Sequence, residues 1–278
     1  IYELMSITRN HIVTLSSVLL FSLYPQAYFP QFCITAVVVP GKEIGEVDSD
    51  GARFTDNARI EGTIPEMLEE AISFVKRNMR KKTIINPATG KREDRTDYPV
   101  TAIREAILNA LVHRDYSIHT EGMPIQILMF EDRMEIRNPG GIYGRMSIDQ
   151  LGKVQADTRN PVLALALEVL GITENRYSGI PTIRREMKAY NLVPADFLDE
   201  RGNFIVKFYK KSLEESVDDN DLIAFCHIPR SRKEICDFLA VKSMSYAIKR
   251  YVQPLIESGK IKMTMPDTPK SPNQKYFS

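Results

Sequence analysis

VTAIREAILNALVH, residues 100–113, is the stretch that decides the fold. Its apolar residues recur at spacings of three and four, which is the period of an α-helix with one buried face. Pro99 directly precedes the stretch, and proline is favoured at the start of a helix. Glu105 and Asn109 are four residues apart, so a helix turns both side chains to the same side. The stretch therefore predicts a helix with a buried face and a neighbouring polar face.

The residues after this helix change to a period of two. Residues 125–130 and 134–137 alternate apolar and polar side chains on either side of the turn 131–133. Alternation over short runs joined by a short turn predicts a β-hairpin. A helix followed by a hairpin places the middle of the chain in the α+β class.

Two glycine-bearing turns follow the predicted hairpin. The first, NPGGI, contains Asn138, Gly140 and Gly141, and the second, SGIPTIRREM, begins at Ser178 and Gly179 and opens another helix. Glycine lets the backbone come close to a ligand, and the free N–H groups at a helix start bind phosphate. The two turns therefore predict a phosphate-binding pocket next to the polar face of the first helix.

The polar face itself predicts a metal-assisted site. A carboxylate and an amide on one face suit a hydrated magnesium ion, which prefers oxygen ligands and keeps most of its waters. Glu105 is then the candidate catalytic residue that orients a water, and Asn109 is the candidate magnesium ligand. A solvated helix face is the alternative interpretation of this spacing. His113, Arg114 and Asp115 end the helix, and there we predict structural roles.

The rest of the chain mixes helix and strand patterns. Residues 76–97 are dense in charge and contain a Pro and a Gly, which predicts an exposed connection or a long hairpin. Residues 143–160 have little periodicity, and 212–221 (SLEESVDDND) read as an acidic linker. The periodicity predicts helices at 13–23, 64–79, 162–170 and 181–190, and strands at 32–39 and 204–209.

Length and composition exclude several classes of protein. A chain of 278 residues predicts two or three domains. Hydrophobic residues are 43% and charged residues 26%, and no run of 18 apolar residues occurs, which excludes disordered, collagenous and membrane-spanning chains. Cys33, Cys226 and Cys236 fit neither a disulfide framework nor a zinc pattern, which favours a reducing cytoplasm. Since residue 1 is Ile, we expect the chain to be part of a longer protein.

Positive charge is concentrated near the C-terminus. Residues 230–278 hold ten Lys or Arg and four Asp or Glu, whereas the other 229 residues are net acidic. Such segregation predicts a polyanion as the partner. A basic tail without function is the alternative interpretation.

The same region has the pattern of a helix-turn-helix followed by a β wing. Ser231 and Glu234 form a capping box that starts a helix at 232–239, and a second helix follows a short turn. Alternating residues around a proline-rich loop then predict wing strands at 260–265 and 275–277. A protein-interaction module is the alternative role. The side chains that we expect to contact duplex DNA are Tyr246, Lys249 and Arg250 on the second helix and Lys262, Lys270 and Lys275 on the wing.

Three motifs in the middle of the chain resemble those of a known family. They are REAILNALVHRDYS (104–117), EIRNPGG (135–141) and GIPTIRREM (179–187). Together they resemble the Schlafen/AlbA-type transcriptional regulators, a family also labelled RecG-related ATP-dependent DNA helicases. The resemblance covers nearly the whole chain. The central domain of this family is similar to the GHKL, or Bergerat, ATPase fold shared by gyrase, histidine kinases and MutL.

The resemblance implies roles for particular residues. Glu105 and Asn109 match the N-box positions for water activation and magnesium. Asn138, Gly140 and Gly141 match the first glycine box, and Ser178 and Gly179 match the second. Residues 142–178 correspond to a lid, and the ligands implied are ATP and Mg²⁺.

Three residues differ from the full ATPase pattern. Asn138 stands where a GHKL site has the Asp that contacts adenine, and an amide offers a different set of donors and acceptors from a carboxylate. Tyr177 stands where a glycine would help to close the second box, and Pro181 lacks an N–H donor. We therefore expect weak or altered binding of adenine nucleotide. No G-x4-G-K-[ST] motif occurs, which excludes a P-loop helicase motor.

These observations predict an α+β protein of three modules. Residues 1–80 form the C-terminal part of a Schlafen/AlbA-type domain, 81–211 a GHKL-like α/β sandwich, and 212–278 a winged helix. The predicted function is that of a DNA-binding transcriptional regulator with a nucleotide pocket and duplex DNA as partner. One alternative is an ATP-hydrolysing enzyme coupled to a DNA transaction, and another is a central domain that only keeps its fold. Because one winged helix reads one half-site, control of DNA binding by nucleotide requires a homodimer.

Overall fold

Two compact units make up the chain. The computed structural model describes residues 6–85, 90, 92–154, 157–173, 179–210, 219–239, 244–266, 268–269, 271 and 274–278. The first unit is Ile1–Lys210 and the second is Lys211–Ser278. Among the residues that the structure describes, no helix is long and apolar enough to cross a membrane.

The first unit contains ten strands and five α-helices among its described residues. Its strands are β1 (Thr8–Arg9), β2 (Ile12–Val13), β3 (Ile34–Val38), β4 (Asp56–Ile60), β5 (Lys81–Ile85), β6 (Arg92–Thr96), β7 (Ile125–Met129), β8 (Arg133–Pro139), β9 (Asp196–Glu200) and β10 (Asn203–Tyr209). Its helices are α1 (Leu15–Phe21), α2 (Ile64–Asn78), α3 (Val100–His113), α4 (Pro161–Val169) and α5 (Gly179–Ala189).

A six-stranded mixed sheet forms the frame of this unit. Its strand order is β4-β3-β7-β8-β10-β9, in which β3 and β7 run parallel and every other neighbouring pair is antiparallel. Strands β3 and β4 come from the segment 1–80, and the other four come from 81–211. Since all six share one hydrogen-bonded sheet, the predicted boundary near residue 80 does not coincide with a gap between compact units. The pairs β1–β2 and β5–β6 are separate two-stranded ribbons.

Helix α3 is the central helix, and its bounds confirm the helix predicted at 100–113. It packs against α2, α5 and β8. Fully burying one large apolar side chain contributes about 1.5–3 kcal/mol, so this helix anchors the core of the unit. Its buried residues are Ala102, Ile103, Ala106, Ile107, Leu108, Ala110, Leu111 and Val112.

Arg114, which follows α3, is buried in the core with 1% of its surface exposed. Its guanidinium donates hydrogen bonds to the carbonyl oxygens of Asp115, Thr120 and Met123, at 2.9, 3.0 and 2.6 Å. The same group lies 4.3 Å from the centroid of the Phe32 ring. These contacts hold the loop between α3 and β7, which is the structural role predicted at this helix end.

Two strands of the sheet were not predicted from periodicity. They are β4 (DNARI) and β9 (DFLDE), the two edge strands. Asp and Asn are depleted in strands, but an edge strand tolerates charge because only one of its sides pairs with a neighbour. Of the two alternatives for residues 76–97, the structure shows the hairpin, formed by β5 and β6 after the end of α2.

The second unit has its own elements and its own core. The elements are α6 (Asp219–Phe225), β11 (Arg230–Ser231), α7 (Arg232–Phe238), α8 (Met244–Ala247), a π-helical turn (Ile248–Val252), α9 (Gln253–Glu257), β12 (Lys262–Met263) and β13 (Lys275–Phe277). The three strands form a sheet of order β11-β13-β12. The core residues are Leu222, Cys226, Ile235, Val252, Leu255, Ile261 and Tyr276.

Two details of the second unit differ from the sequence expectation. An acidic linker was predicted at 212–221, and residues 212–218 lie outside the described residues. At its C-terminal end the prediction is wrong, because Asp219 and Asp221 lie in the first turn of helix α6, where carboxylates interact favourably with the helix dipole. The second helix of the predicted pair is interrupted by the π-helical turn just before Pro254. Proline has no N–H and its ring clashes with the carbonyl four residues earlier, so a wider turn precedes it.

Candidate functional site

A cavity of about 490 Å³ lies in the first unit between α3, the end of β8 and the start of α5. This volume is within the range of small-molecule sites. Ser178 of the second glycine turn lies outside the described residues. The other residues predicted for the nucleotide site all line this cavity, namely Glu105, Asn109, Asn138, Gly140, Gly141 and Gly179.

Helix α3 presents a polar stripe to the cavity, formed by Glu105, Asn109 and His113 at successive spacings of four. The Glu105 side chain is 24% exposed and lies 3.7 Å from Arg104. The Nδ2 atom of Asn109 is buried and has no hydrogen-bond partner among the described residues. A buried donor without a partner is costly, so it marks a place where a ligand oxygen would be stabilised.

His113 is a cavity residue that the sequence interpretation missed. Burial lowers the pKa of its imidazole, and the guanidinium of Arg159 lowers this pKa further. The imidazole is therefore neutral at pH 7 and offers one donor and one acceptor. Its position eight residues after Glu105 on the same helix face is the signal that would have found it.

Asn138 closes the inner wall of the cavity at the end of β8. Only 3% of its surface is exposed, and its Oδ1 atom is buried without a hydrogen-bond partner in the described part of the chain. The wall is set by the sheet register, in which Asn138 pairs with Phe204 of β10. An unsatisfied acceptor at the inner end favours a ligand with an N–H group there.

The first glycine turn is packed so tightly that side chains would not fit. Gly140 has a φ of +96°, and a β-carbon on it would lie 2.6 Å from both Arg159 Nη1 and Asp115 Cβ. A β-carbon on Gly141 would overlap the carboxylate of Asp199. Asp199 accepts a hydrogen bond from the Ile142 N–H at 3.0 Å. The backbone of this turn therefore forms the cavity wall directly.

Arg159 connects the first glycine turn to the end of α3. It lies 3.1 Å from the carboxylate of Asp115 and donates to the Gly141 carbonyl at 2.7 Å. The neighbouring Asn160 donates to the carbonyls of Val112 and Arg114, both at 2.8 Å. No sequence pattern indicated this network, because its members are joined only by the tertiary fold.

The second glycine turn meets α3 at Gly179, the first residue of α5. A β-carbon on Gly179 would lie 2.6 Å from Asn109 Nδ2, so only glycine leaves room for the amide. Pro181 is the third residue of α5, where a helix has no internal partner for the N–H group. The fold therefore tolerates this proline, although one donor at the helix start is lost. Tyr177 lies outside the described residues.

The donor set of the cavity fits a magnesium nucleotide in part. Among the described residues, no group of three or more His, Cys, Asp or Glu side chains is arranged to hold a metal. Magnesium in nucleotide sites is commonly held by one or two protein oxygens together with phosphates and waters, so Glu105 and Asn109 are sufficient. Rotating the Asn109 amide by 180° exchanges Nδ2 for Oδ1 at nearly the same position, which offers the ion an oxygen.

The segment predicted as a lid borders the same cavity. Its described parts are 142–154 and 157–173, and they include a short 3-10 turn at Ile148–Gln150. Arg184 of α5 donates to the Leu151 carbonyl at 2.9 Å, which holds the segment to that helix. Its lining residues include Ile142, Tyr143, Met146, Leu151, Gly152, Val154, Asp157, Thr158, Ile172 and Thr173.

In the second unit, five of the six predicted DNA-contacting residues lie in described helices or strands. Lys262 lies on β12 and Lys275 on β13, and both are exposed. The backbone of Tyr246 lies in α8, and the π-helical turn contains Lys249 and Arg250. The side chains of these three residues, and the whole of Lys270, lie outside the described residues. Helix α7 begins at the predicted capping box, which confirms it.

The two units match different protein-family models. Residues 122–208 match a HATPase-type family model described as "Putative ATP-dependent DNA helicase recG C-terminal". The chain contains an ATPase-like domain. Of the cavity residues, Asn138, Gly140, Gly141 and Gly179 lie inside this match, whereas Glu105 and Asn109 precede it. Residues 220–277 match the model "Filamentation induced by cAMP protein Fic-like, C-terminal domain".

The fold is also similar to that of a solved structure, the DIP2311 protein from Corynebacterium diphtheriae. The two are 15% identical with a TM-score of 0.59, and the match covers 87% of this chain and 50% of that one. The chain thus spans half the length of this structural neighbour, and the similarity concerns the fold alone. No curated protein matches the chain by sequence.

Proposed function

We propose that the chain is a DNA-binding regulator whose ATPase-like domain binds an adenine nucleotide. The observation that carries the nucleotide site is a pair of buried amide atoms in one cavity, Asn109 Nδ2 and Asn138 Oδ1, that have no hydrogen-bond partner among the described residues. Asn138 Oδ1 would gain a partner from the ligand, and the Asn109 amide, rotated so that Oδ1 takes the place of Nδ2, would gain the magnesium ion; buried polar groups in proteins are almost always paired. The match of residues 122–208 to an ATPase-like model supports the same ligand class.

Each part of the nucleotide would meet a different wall. Asn138 accepts a hydrogen bond from the base, and the backbone at Gly140 and Gly141 approaches the ligand without side chains between. The start of α5 at Gly179 faces the phosphates, where the helix dipole favours negative charge. Bound Mg²⁺, held by Asn109 and Glu105, would neutralise phosphate charge. Asn138 stands where the GHKL ATPases that the chain resembles have an Asp, and Pro181 lacks a backbone N–H donor. The proposed binding of the nucleotide is therefore weak.

A second candidate function is ATP hydrolysis coupled to a DNA transaction. The observation in its favour is the carboxylate of Glu105, which lines the cavity and can orient a water for attack on a phosphate. Glu105→Gln keeps the size of the side chain and removes the charge. Turnover of ATP by the parent chain that is lost in this variant would establish hydrolysis, whereas binding without turnover would leave a ligand sensor.

The second unit supplies the proposed contact with DNA, as a winged helix. Helix α7 and the helical stretch from α8 to α9 form the two helices, and β12 and β13 form the wing. Exposed Lys262 and Lys275 lie on these wing strands, suited to contact phosphates. Residues 230–278, with their excess of Lys and Arg, favour duplex DNA as partner.

The nucleotide proposal is tested by thermal shift with ATP, with and without Mg²⁺. A ligand at 100 times its Kd stabilises the folded chain by about 2.7 kcal/mol. Asn109→Ala is expected to abolish the magnesium-dependent part of the shift. Asn57→Ala, at an exposed amide on β4, is the matched control and is expected to keep it. The absence of any shift in the parent would refute nucleotide binding.

The DNA proposal is tested by neutralising the wing. Lys262→Gln with Lys275→Gln is expected to lower the slope of log affinity against log salt by about 2, since each phosphate contact contributes about 0.9. An unchanged slope would exclude the wing as a phosphate contact.

A further inference from the structure

The β5–β6 ribbon of the first unit carries positive charge that neither proposed site uses. Residues 76–97, which contain it, hold eight Lys or Arg and three Asp or Glu, a net charge of +5. The other 188 residues of Ile1–Lys210 hold 18 basic and 24 acidic residues, a net charge of −6. The two strands themselves, Lys81–Ile85 and Arg92–Thr96, hold four Lys or Arg and two Asp or Glu, so the ribbon is a basic element of net charge +2 on an otherwise acidic unit.

Most of the basic side chains on and beside this ribbon are exposed. Arg80, Lys81, Lys82 and Arg92 all project into solvent. Among the described residues, Arg80, Lys81 and Lys82 form no direct ion pair, although the charge of Lys81 acts on Asp94 over a longer distance. Three like charges within three residues repel one another, and a polyanion would relieve this repulsion.

The acidic side chain described on the ribbon does not cancel this charge. Asp94 accepts a hydrogen bond from Thr83 Oγ1 at 2.8 Å and lies 3.5 Å from Arg92 Nε. Its carboxylate is thus occupied within the ribbon, and these contacts lower its pKa. Lys81 and Lys82, on opposite faces of β5, remain available to an external anion.

The base of the ribbon is held by two contacts. The Arg95 guanidinium lies 5.0 Å from the centroid of the Tyr190 ring, next to the end of α5. The carboxylate of Asp97 accepts a hydrogen bond from the Arg80 N–H at 3.0 Å. A ribbon held at its base presents its side chains with less loss of conformational entropy on binding.

We propose that the β5–β6 ribbon is a second DNA-binding element, which enters the major groove of a duplex and contacts phosphates through Lys81, Lys82 and Arg92. The register pairs five residues of each strand, so the ribbon extends about 17 Å at 3.4 Å per residue. Two strands about 4.8 Å apart with their side chains fit a groove about 12 Å wide.

The shape of the ribbon, in addition to its charge, restricts the form of the duplex that it can bind. The major groove of A-form RNA is deep and narrow, and side chains do not reach into it. B-form DNA is therefore the partner, and double-stranded RNA is expected to compete poorly. Since the ribbon belongs to the first unit, its contact with DNA is independent of the wing lysines of the second.

The test measures the affinity of the full chain for a 30-base-pair DNA duplex at several salt concentrations. Lys81→Gln with Lys82→Gln is expected to lower the slope of log affinity against log salt by about 2. Lys81→Arg with Lys82→Arg keeps the charge and is expected to keep the slope. Lys42→Gln with Arg53→Gln removes two exposed charges elsewhere in the first unit and is expected to change nothing.

The same slopes, measured with Lys262→Gln and Lys275→Gln already present, separate the two DNA proposals. The ribbon effect is expected to persist in this background even if the wing contributes nothing. An unchanged slope in the ribbon variant, or an equal fall in the Lys42 and Arg53 variant, would overturn the inference. Equal competition by an RNA duplex would overturn the major-groove geometry.

Discussion

Gly179 and Asn109 show how a single missing β-carbon shapes the candidate site. We predict that Gly179→Ala lowers affinity for ATP by about tenfold or more, because its β-carbon would lie 2.6 Å from Asn109 Nδ2 and displace the amide. The same clash overpacks a buried site, which costs about 1–3 kcal/mol of unfolding free energy, and the reduced backbone freedom in α5 offsets about 1 kcal/mol of that cost. Calorimetric titration with ATP and a urea unfolding curve measure the two effects separately.

The matched control for this substitution is Gly122→Ala. A β-carbon on Gly122 would have no neighbouring atom within 4 Å, so neither affinity nor stability is expected to change much. Equal ATP affinity in the parent and in Gly179→Ala would contradict the role assigned to this contact.

His113 makes stability depend on pH near neutrality. Burial and then the charge of Arg159 lower its pKa in the folded chain, whereas the unfolded value is about 6.5. Between these two values the unfolded chain binds more protons, so this contribution to stability is full above pH 6.5 and is lost as the pH falls towards the folded pKa. We predict that His113→Gln flattens the fall in unfolding free energy between pH 7 and pH 5.

Urea unfolding at several pH values measures this effect. The control variant is His119→Gln, which removes an exposed imidazole outside the cavity. A pH profile of His113→Gln that overlays the parent would show that the imidazole is equally easy to protonate in both states.

At the scale of elements, the start of α7 depends on a capping box. Ser231 Oγ accepts from the Glu234 N–H at 3.3 Å, and the Glu234 carboxylate accepts from the Ser231 N–H at 2.8 Å. We predict that Ser231→Ala destabilises the second unit by about 1 kcal/mol, the usual cost of losing such a cap. Thermal unfolding followed by circular dichroism measures the change.

Thr268→Ala is the control for the cap. It also removes a hydroxyl from an exposed position of the second unit, but this hydroxyl makes no hydrogen bond to any described residue. A loss of stability that is the same in both variants would show that the capping box contributes nothing beyond the loss of a polar side chain.

At the scale of the whole molecule, the proposed functions of the two units become linked if the chain is a homodimer. We predict that saturating ATP and Mg²⁺ change the affinity for a two-half-site duplex by 5- to 150-fold, which corresponds to about 1–3 kcal/mol of coupling. Linkage requires that DNA change nucleotide affinity by the same factor. Fluorescence anisotropy with labelled DNA, repeated with labelled nucleotide, measures both directions.

The absence of an effect of nucleotide on DNA binding would contradict this coupling. Identical DNA affinities with and without nucleotide, together with a monomer in sedimentation, would make the central domain a scaffold with no part in switching.

Local periodicity in the sequence determined the main elements and one side of the candidate site. Helix α3 and the hairpin of β7 and β8 were predicted because the apolar residues recur with a period of 3.6 in the helix and of 2 in the strands, and both periods can be read from neighbouring residues. The placement of Glu105 and Asn109 on one face of the helix followed from the same periodicity. The glycine turns were found because glycine is needed where backbone comes close to a ligand.

Contacts between distant residues were decided only by the tertiary structure. Edge strands β4 and β9 escaped prediction because pairing with β3 and β10 outweighs their weak strand propensity. Arg159 reaches the first glycine turn only because the chain folds back over α3, and no local pattern encodes that return. Likewise, Asn109 Nδ2 and Asn138 Oδ1 lack a hydrogen-bond partner within the described part of the chain only because the fold buries both atoms away from water, which the sequence alone does not show.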